Sequence, residues 1–200
     1  AAARFANPQE GSTYSRTGNP TVASFEERLA AMEGTECAVA TSTGMSAILL
    51  VALTALKAGD HIVASQSMFG STMKLLGTEM ARFGIESTFV PQTDAQAWAA
   101  AIRPNTKLLF AETPTNPLTD LCDIQALADI AHHHGALLVV DNSFATPVLQ
   151  RPVEFGADIV VHSGTKFLDG QGRIMIGAVC GTTALVDKVM GTFLRSGGPN

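Results

Sequence analysis

ADIVVHSGTK, residues 157–166, decides the reading of the fold. Ile159, Val160 and Val161 form an apolar run without polar alternation, the pattern of a strand covered on both faces. A Ser, a Thr and a Lys follow directly, at Ser163, Thr165 and Lys166. A lysine at the end of a core strand needs a reason, because an ammonium is costly to bury.

Working outward, runs of the same kind recur. They are CAVAT (37–41), HIVAS (61–65), STFV (87–90), KLLFAE (107–112), LLVVD (137–141), IVVH (159–162) and GAVC (177–180). Helical segments are expected between most of them, over 21–33, 45–56, 71–83, 95–102 and 123–134. The first carries an apolar stripe at Val22, Phe25, Leu29 and Met32, with Pro20 at its start and Gly34 after its end. Gly84 and Gly135 suit helix C-caps. Alternating strands and helices predict an α/β fold with a mostly parallel sheet. No internal repeat or low-complexity linker interrupts it, and residues 196–200 read as a loop.

Composition narrows the function. The 200 residues are 46% hydrophobic and 16% charged, enough to bury a substantial core. A net charge of -5 argues against nucleic acid or an anionic membrane as partner. No run of eighteen apolar residues suggests a membrane span. The opening AAARFANPQE shows neither a signal-peptide pattern nor an initiator Met. Cys37, Cys122 and Cys180 are odd in number and lack a CxxC pair, so buried thiols of a cytoplasmic protein are expected. His132, His133 and His134 are consecutive on a helix and point in different directions, so no metal site is expected. Trp98 reads as packing. No GxGxxG follows a strand, which removes a dehydrogenase reading.

In open parallel sheets ligands bind beyond the carboxyl ends of the strands. After CAVAT come Ser42, Thr43, Gly44 and Met45, leading into a helix whose first amides can hold an anion. After HIVAS comes Phe69. After KLLFAE, Asn116 sits in the turn TPTNP. LLVVD ends in Asp141, and IVVH leads to Ser163, Thr165 and Lys166. Taken singly these are ordinary: a strand-end carboxylate, a packing glycine, a core aromatic, a turn, a solvated lysine. Together they meet the needs of a pyridoxal phosphate (PLP) site. Such a site wants a lysine to form a Schiff base, a carboxylate for the pyridine nitrogen, an aromatic face and a phosphate cradle.

The series YSRTGNPT (14–21), STGMSA (42–47), ETPTNP (112–117), VVDNSF (139–144) and HSGTK (162–166) resembles the motifs of the Cys/Met-metabolism PLP-dependent enzymes. The motifs stand in family order and span nearly the whole chain. The resemblance implies an aspartate-aminotransferase-like, fold-type I large domain over 36–200, preceded by an arm and helix over 1–35, with the family's C-terminal domain absent. Lys166 would carry the cofactor and act as general base, and Asp141 would pair with the pyridine nitrogen. Gly44, Met45, Ser163 and Thr165 would hold the phosphate, and Asn116 would contact the 3'-oxygen. Tyr14 and Arg16 would reach the phosphate of a neighbouring subunit, making a dimer with shared sites, or a tetramer, the working unit. Arg195 lies too early to be the family's carboxylate-binding arginine and reads as a surface charge.

Two positions depart from the family pattern. Gly164 replaces the Ala of HSATK, a small change that should leave the site intact. Phe69 replaces a Tyr, keeping the stacking face but losing the hydroxyl. Phe69 and KFLDGQGR (166–173) resemble the O-succinylhomoserine sulfhydrylase branch, which implies replacement of the succinyl ester by sulfide to give homocysteine. Cystathionine γ-synthase, O-acetylhomoserine sulfhydrylase and methionine γ-lyase chemistry, or a truncated PLP-binding fragment without turnover, are the alternatives.

Overall fold

The computed structural model describes residues 14, 15 and 18–191. Arg16 and Arg195 therefore lie outside the described residues. Seven strands form one sheet: β1 (Cys37–Thr41), β2 (His61–Ser65), β3 (Glu86–Val90), β4 (Thr106–Glu112), β5 (Leu137–Asp141), β6 (Ile159–Ser163) and β7 (Gly177–Gly181). Their order is β1-β7-β6-β5-β4-β2-β3. All pairs are parallel except those of β7, which runs antiparallel to both β1 and β6. The start of β7 therefore shares an edge with the ends of the other strands, and Gly177 is opposite both Thr41 and Ser163.

The helices are α1 (Pro20–Glu33), α2 (Gly44–Ala55), α3 (Gly70–Lys74), α4 (Ala95–Ala101), α5 (Ile124–His133), α6 (Thr146–Leu149) and α7 (Thr183–Val189). Asn19 caps α1 through its side chain, and Gly34 ends it at φ 75. The sequence expectation over 71–83 resolves into three pieces. After α3 come a π-helical stretch, Leu75–Glu79, and a 3-10 turn, Met80–Phe83. Gly77 lies so close to β3 that a Cβ there would sit 2.9 Å from the Phe89 ring. Helices α6 and α7 are absent from the sequence expectation; α6 has only four residues, too short for a periodic signal.

The period of two along each strand sorts the core into layers. Phe110, Val139 and Val161 face the cluster that also holds Ala47, Ile48 and Val51 of α2. Leu109, Leu138 and Val140 face the other side, under Leu127 and Ala131 of α5. At the far end Val160 and Cys180 pack against Leu29 and Ala30 of α1. Each fully buried Val, Leu or Ile contributes about 1.5–3 kcal/mol. Two residues past Phe110 and Val139, the α2 face continues as Glu112 and Asp141, and two past Val161 it continues as Ser163. Those residues are at the carboxyl edge.

Candidate active site

A cleft of about 450 Å³ opens at that edge. This is large enough for a cofactor and part of a substrate. Gly44, Met45, Phe69, Asn116, Asp141, Ser163, Thr165 and Lys166 all line it. Gly44 and Lys166, 122 positions apart in sequence, thus meet at one cleft. Tyr14 does not line it and is 57% exposed.

The anion cradle is built by close approach. Thr43 caps α2, its Oγ1 accepting from Ser46 N at 3.0 Å. The first two helical amides, Gly44 and Met45, have no acceptor among the described residues. A Cβ on Gly44 would fall 2.6 Å from Ser163 Cβ, so only glycine lets the helix start touch the HSGTK loop. Gly177 plays the same part below, where a Cβ would be 2.1 Å from Thr43 O. Ser163 Oγ carries no hydrogen bond among the described residues. Thr165 is different: its Oγ1 accepts from Ile176 N at 3.0 Å, pinning the loop to the strand that follows.

Asp141 is buried. Its Oδ1 accepts from Ser143 Oγ at 2.6 Å and Ser143 N at 3.0 Å, while Oδ2 has no partner among the described residues. Burial raises its carboxyl above the usual range, and the Ser143 bonds offset this only in part. Ser143 Oγ also accepts from Ser163 N at 2.7 Å, tying Asp141 to the lysine loop. Lys166 is exposed toward the cleft, and its Nζ makes no bond among the described residues. Its segment is held from behind by Asp169, which accepts from Arg173 N at 2.7 Å. The Asn116 side-chain amide is likewise unbonded.

An unfilled carboxylate oxygen, an amine, an amide, a hydroxyl and two helix amides thus converge on one cleft. That donor set fits PLP: amides for the phosphate, Asp141 for a protonated ring nitrogen, Lys166 for an aldehyde carbon. Among the described residues no cluster of His, Cys, Asp and Glu could hold a metal. No described helix is long and apolar enough to cross a membrane.

Ser143 and Glu112 also line the cleft and carry no assignment in the sequence reading. Ser143 is the bridge just described. Glu112, the first letter of ETPTNP, is 6% exposed, and its carboxylate binds two loops. Each is a polar residue at or just after a strand end, which is the only signal that sequence offers. Gly164 also proves more constrained than expected. A Cβ there would meet Ile176 Cγ2 at 2.7 Å, so the glycine and Ile176 form a matched pair.

Comparison with known proteins agrees with this geometry. The family described as Cys/Met metabolism PLP-dependent enzyme matches residues 1–199. O-succinylhomoserine sulfhydrylase of Pseudomonas aeruginosa is 55% identical over 199 residues, covering 100% of this chain and 49% of that protein. L-methionine gamma-lyase of Porphyromonas gingivalis is 46% identical, covering 93% of this chain and 47% of that protein. The crystal structure of metB from Corynebacterium glutamicum superposes with a TM-score of 0.89 at 39% identity, over 94% of this chain and 48% of that one. The chain spans about half the length of the curated relatives it matches. With its α/β sheet, its cleft and its motifs in agreement, the chain belongs to the Cys/Met metabolism PLP-dependent enzymes.

Proposed function

We propose that the protein carrying this chain catalyses γ-replacement on an activated homoserine ester, O-succinylhomoserine, with sulfide, giving homocysteine. The observation that carries the reading is the convergence of unpartnered polar ends on one cleft: Lys166 Nζ, Asp141 Oδ2, the Asn116 amide and the amides of Gly44 and Met45. The choice of ester rests on Phe69 and on the 55% identity to a sulfhydrylase.

PLP, when bound, supplies an aldehyde for the substrate amine and a ring that takes up the electron pair of the broken Cα–H bond. The protein does the rest. The amides of Gly44 and Met45 and the Ser163 hydroxyl bind the phosphate. Asp141 would keep a proton on the ring nitrogen, and Asn116 would contact the 3'-oxygen. Phe69 would offer the ring an apolar face and no hydroxyl, so Lys166 Nζ would take the Cα proton and carry protons onward. The same amine would take a Cβ proton, whose bonding pair expels succinate from Cγ; hydrosulfide would add at Cγ, and protons returned to Cβ and Cα would give homocysteine.

Tyr14 and Arg16 are assigned to the phosphate of a neighbouring subunit, so the proposed unit is a homodimer or tetramer with shared sites. The exposure of Tyr14 outside its own cleft is in keeping with that. In this reading residues 1–35 serve the neighbour and 36–200 hold the cofactor, in a cytoplasmic enzyme. Methionine γ-elimination is the second reading, favoured by the 46% identity to a lyase.

The test is a visible spectrum with PLP before and after borohydride, then peptide mapping. A bleached band with label on Lys166 supports the site; label scattered over surface lysines overturns it. Assays with O-succinylhomoserine, O-acetylhomoserine and methionine, with sulfide or cysteine, then separate the reactions. Turnover of methionine without sulfide would displace the sulfhydrylase reading.

A further inference from the structure

We propose that Glu112 is a positioning residue whose carboxylate braces the Phe69 loop and the Asn116 loop in register with one another at the cleft. The inference rests on the PLP reading above and adds a residue to it.

Glu112 ends β4, and its Cα partner across the ladder is Asp141 at the end of β5. The two carboxylates share the cleft but are used differently. Asp141 keeps one oxygen open, as a ligand acceptor should. Glu112 has both oxygens filled from the main chain: Oε2 accepts from Phe69 N at 2.9 Å and Oε1 from Asn116 N at 2.7 Å. Its own carbonyl accepts from Gln92 Nε2 at 2.9 Å, which anchors the strand end from the far side. The two loops come from sequence positions 47 apart, 69 and 116, and both bear residues assigned to the cofactor ring.

No other acceptor among the described residues meets the Phe69 amide. Phe69 is the residue before α3, and that helix start has no side-chain cap of its own. Glu112 serves as its remote cap. A carboxylate is required because both partners are N–H donors. A glutamine of the same shape has one oxygen and one NH2, so it meets one donor with another. An aspartate is one methylene shorter and cannot span both loops. Burial and the neighbouring Asp141 raise the Glu112 carboxyl and the two amides pull it part of the way back, leaving it at about 7. Those amide bonds are what favour its charged form in a buried place.

The test uses the protein at its natural length, as wild type, Glu112→Gln and Glu112→Asp, with and without PLP. Hydrogen exchange on the apo-proteins should show loss of protection confined to the segments around Phe69 and Asn116 in both variants. PLP dissociation constants should rise about 10-fold, the loss of one charge-assisted hydrogen bond. The circular dichroism of the bound cofactor should weaken, since it reports how firmly the ring is oriented. Unchanged exchange, affinity and dichroism in the variants, or protection lost across the whole sheet, would overturn the brace. A wild type that fails to bind PLP overturns the functional reading instead, and the apo-protein exchange still decides the brace. Should the Gln variant not fold, the Asp variant gives the same readings.

Discussion

Asp141 and Glu33 are both buried carboxylates near the carboxyl edge of one sheet, and they have opposite surroundings. Asp141 faces the α2 side and keeps Oδ2 toward the cleft. Glu33, at the end of α1, lies on the other side, 0% exposed, bonded to His162 Nε2 and to Asn142 Nδ2. Asn142 continues to Gln150, whose Nε2 reaches Thr113 O at 2.9 Å. This second cluster is closed on itself, although Glu33 Oε2 and His162 Nδ1 stay without partners. Neighbouring residues of VVDNSF and HSGTK feed the two clusters alternately: Asp141, Ser143 and Ser163 to the cleft, Asn142 and His162 to the closed side. The alternation of a strand therefore lets one motif line a cleft and build a scaffold at once. A motif residue is not a site residue until its face is known.

This contrast predicts which substitutions cost function and which cost stability. The largest effect belongs to Lys166→Ala. Activity should fall at least about 100-fold with loss of the visible band, while urea unfolding stays near wild type because the side chain is exposed. A variant that keeps the borohydride-sensitive band would break the assignment. Glu33→Ala should do the reverse. Leaving His162 buried without its partner should cost ~3 kcal/mol in urea unfolding of the apo-protein. If instead PLP affinity falls and stability holds, the closed cluster belongs to the site after all.

Asp141→Asn sharpens the cleft side. It should weaken PLP about 10-fold, yet leave the apo-protein as stable or more so at pH 8, since no charge is then desolvated. A clear loss of apo stability would make Asp141 a scaffold residue like Glu33. Glu112 adds a pH signature. Its carboxyl is raised from 4.5 to about 7 in the folded chain, so the folded state holds its proton longer than the unfolded one. The contribution of that proton to stability is full below pH 4.5 and is lost as pH rises through about 7. Relative to Glu112→Gln, wild-type apo-protein should lose stability across that window, and parallel pH curves would contradict it. The smallest effect is Gly164→Ala, about 1 kcal/mol from contact with Ile176 Cγ2, relieved by pairing it with Ile176→Ala. An unchanged single variant would show that Ile176 yields freely.

Much of this was legible beforehand for identifiable reasons. The strand runs are apolar on both faces because helices cover both sides of the sheet, so β1, β2 and β5 matched their expected bounds. The cleft residues were found because a parallel sheet presents its ligand side at the strand ends, where polar residues stand out after apolar runs. The 71–83 segment was read as one helix because its apolar spacing does not reveal that Gly77 packs onto Phe89 and that the register changes there. A strand-end glutamate such as Glu112 shows nothing in sequence of the two amides that meet it in the fold.

The α/β class, the parallel core strands and the family motifs, with the lysine those motifs propose, could be read from the order of residues alone. These depend on local periodicity and on residue types in order, which survive in one dimension. The antiparallel run of β7, which sets Gly177 against Thr43 at the start of α2, emerged only in three dimensions. The tertiary structure alone separated Asp141 from Glu33, and set Glu112 between two loops. Those facts are contacts between positions tens of residues apart, and a contact of that kind exists only once the chain has closed on itself.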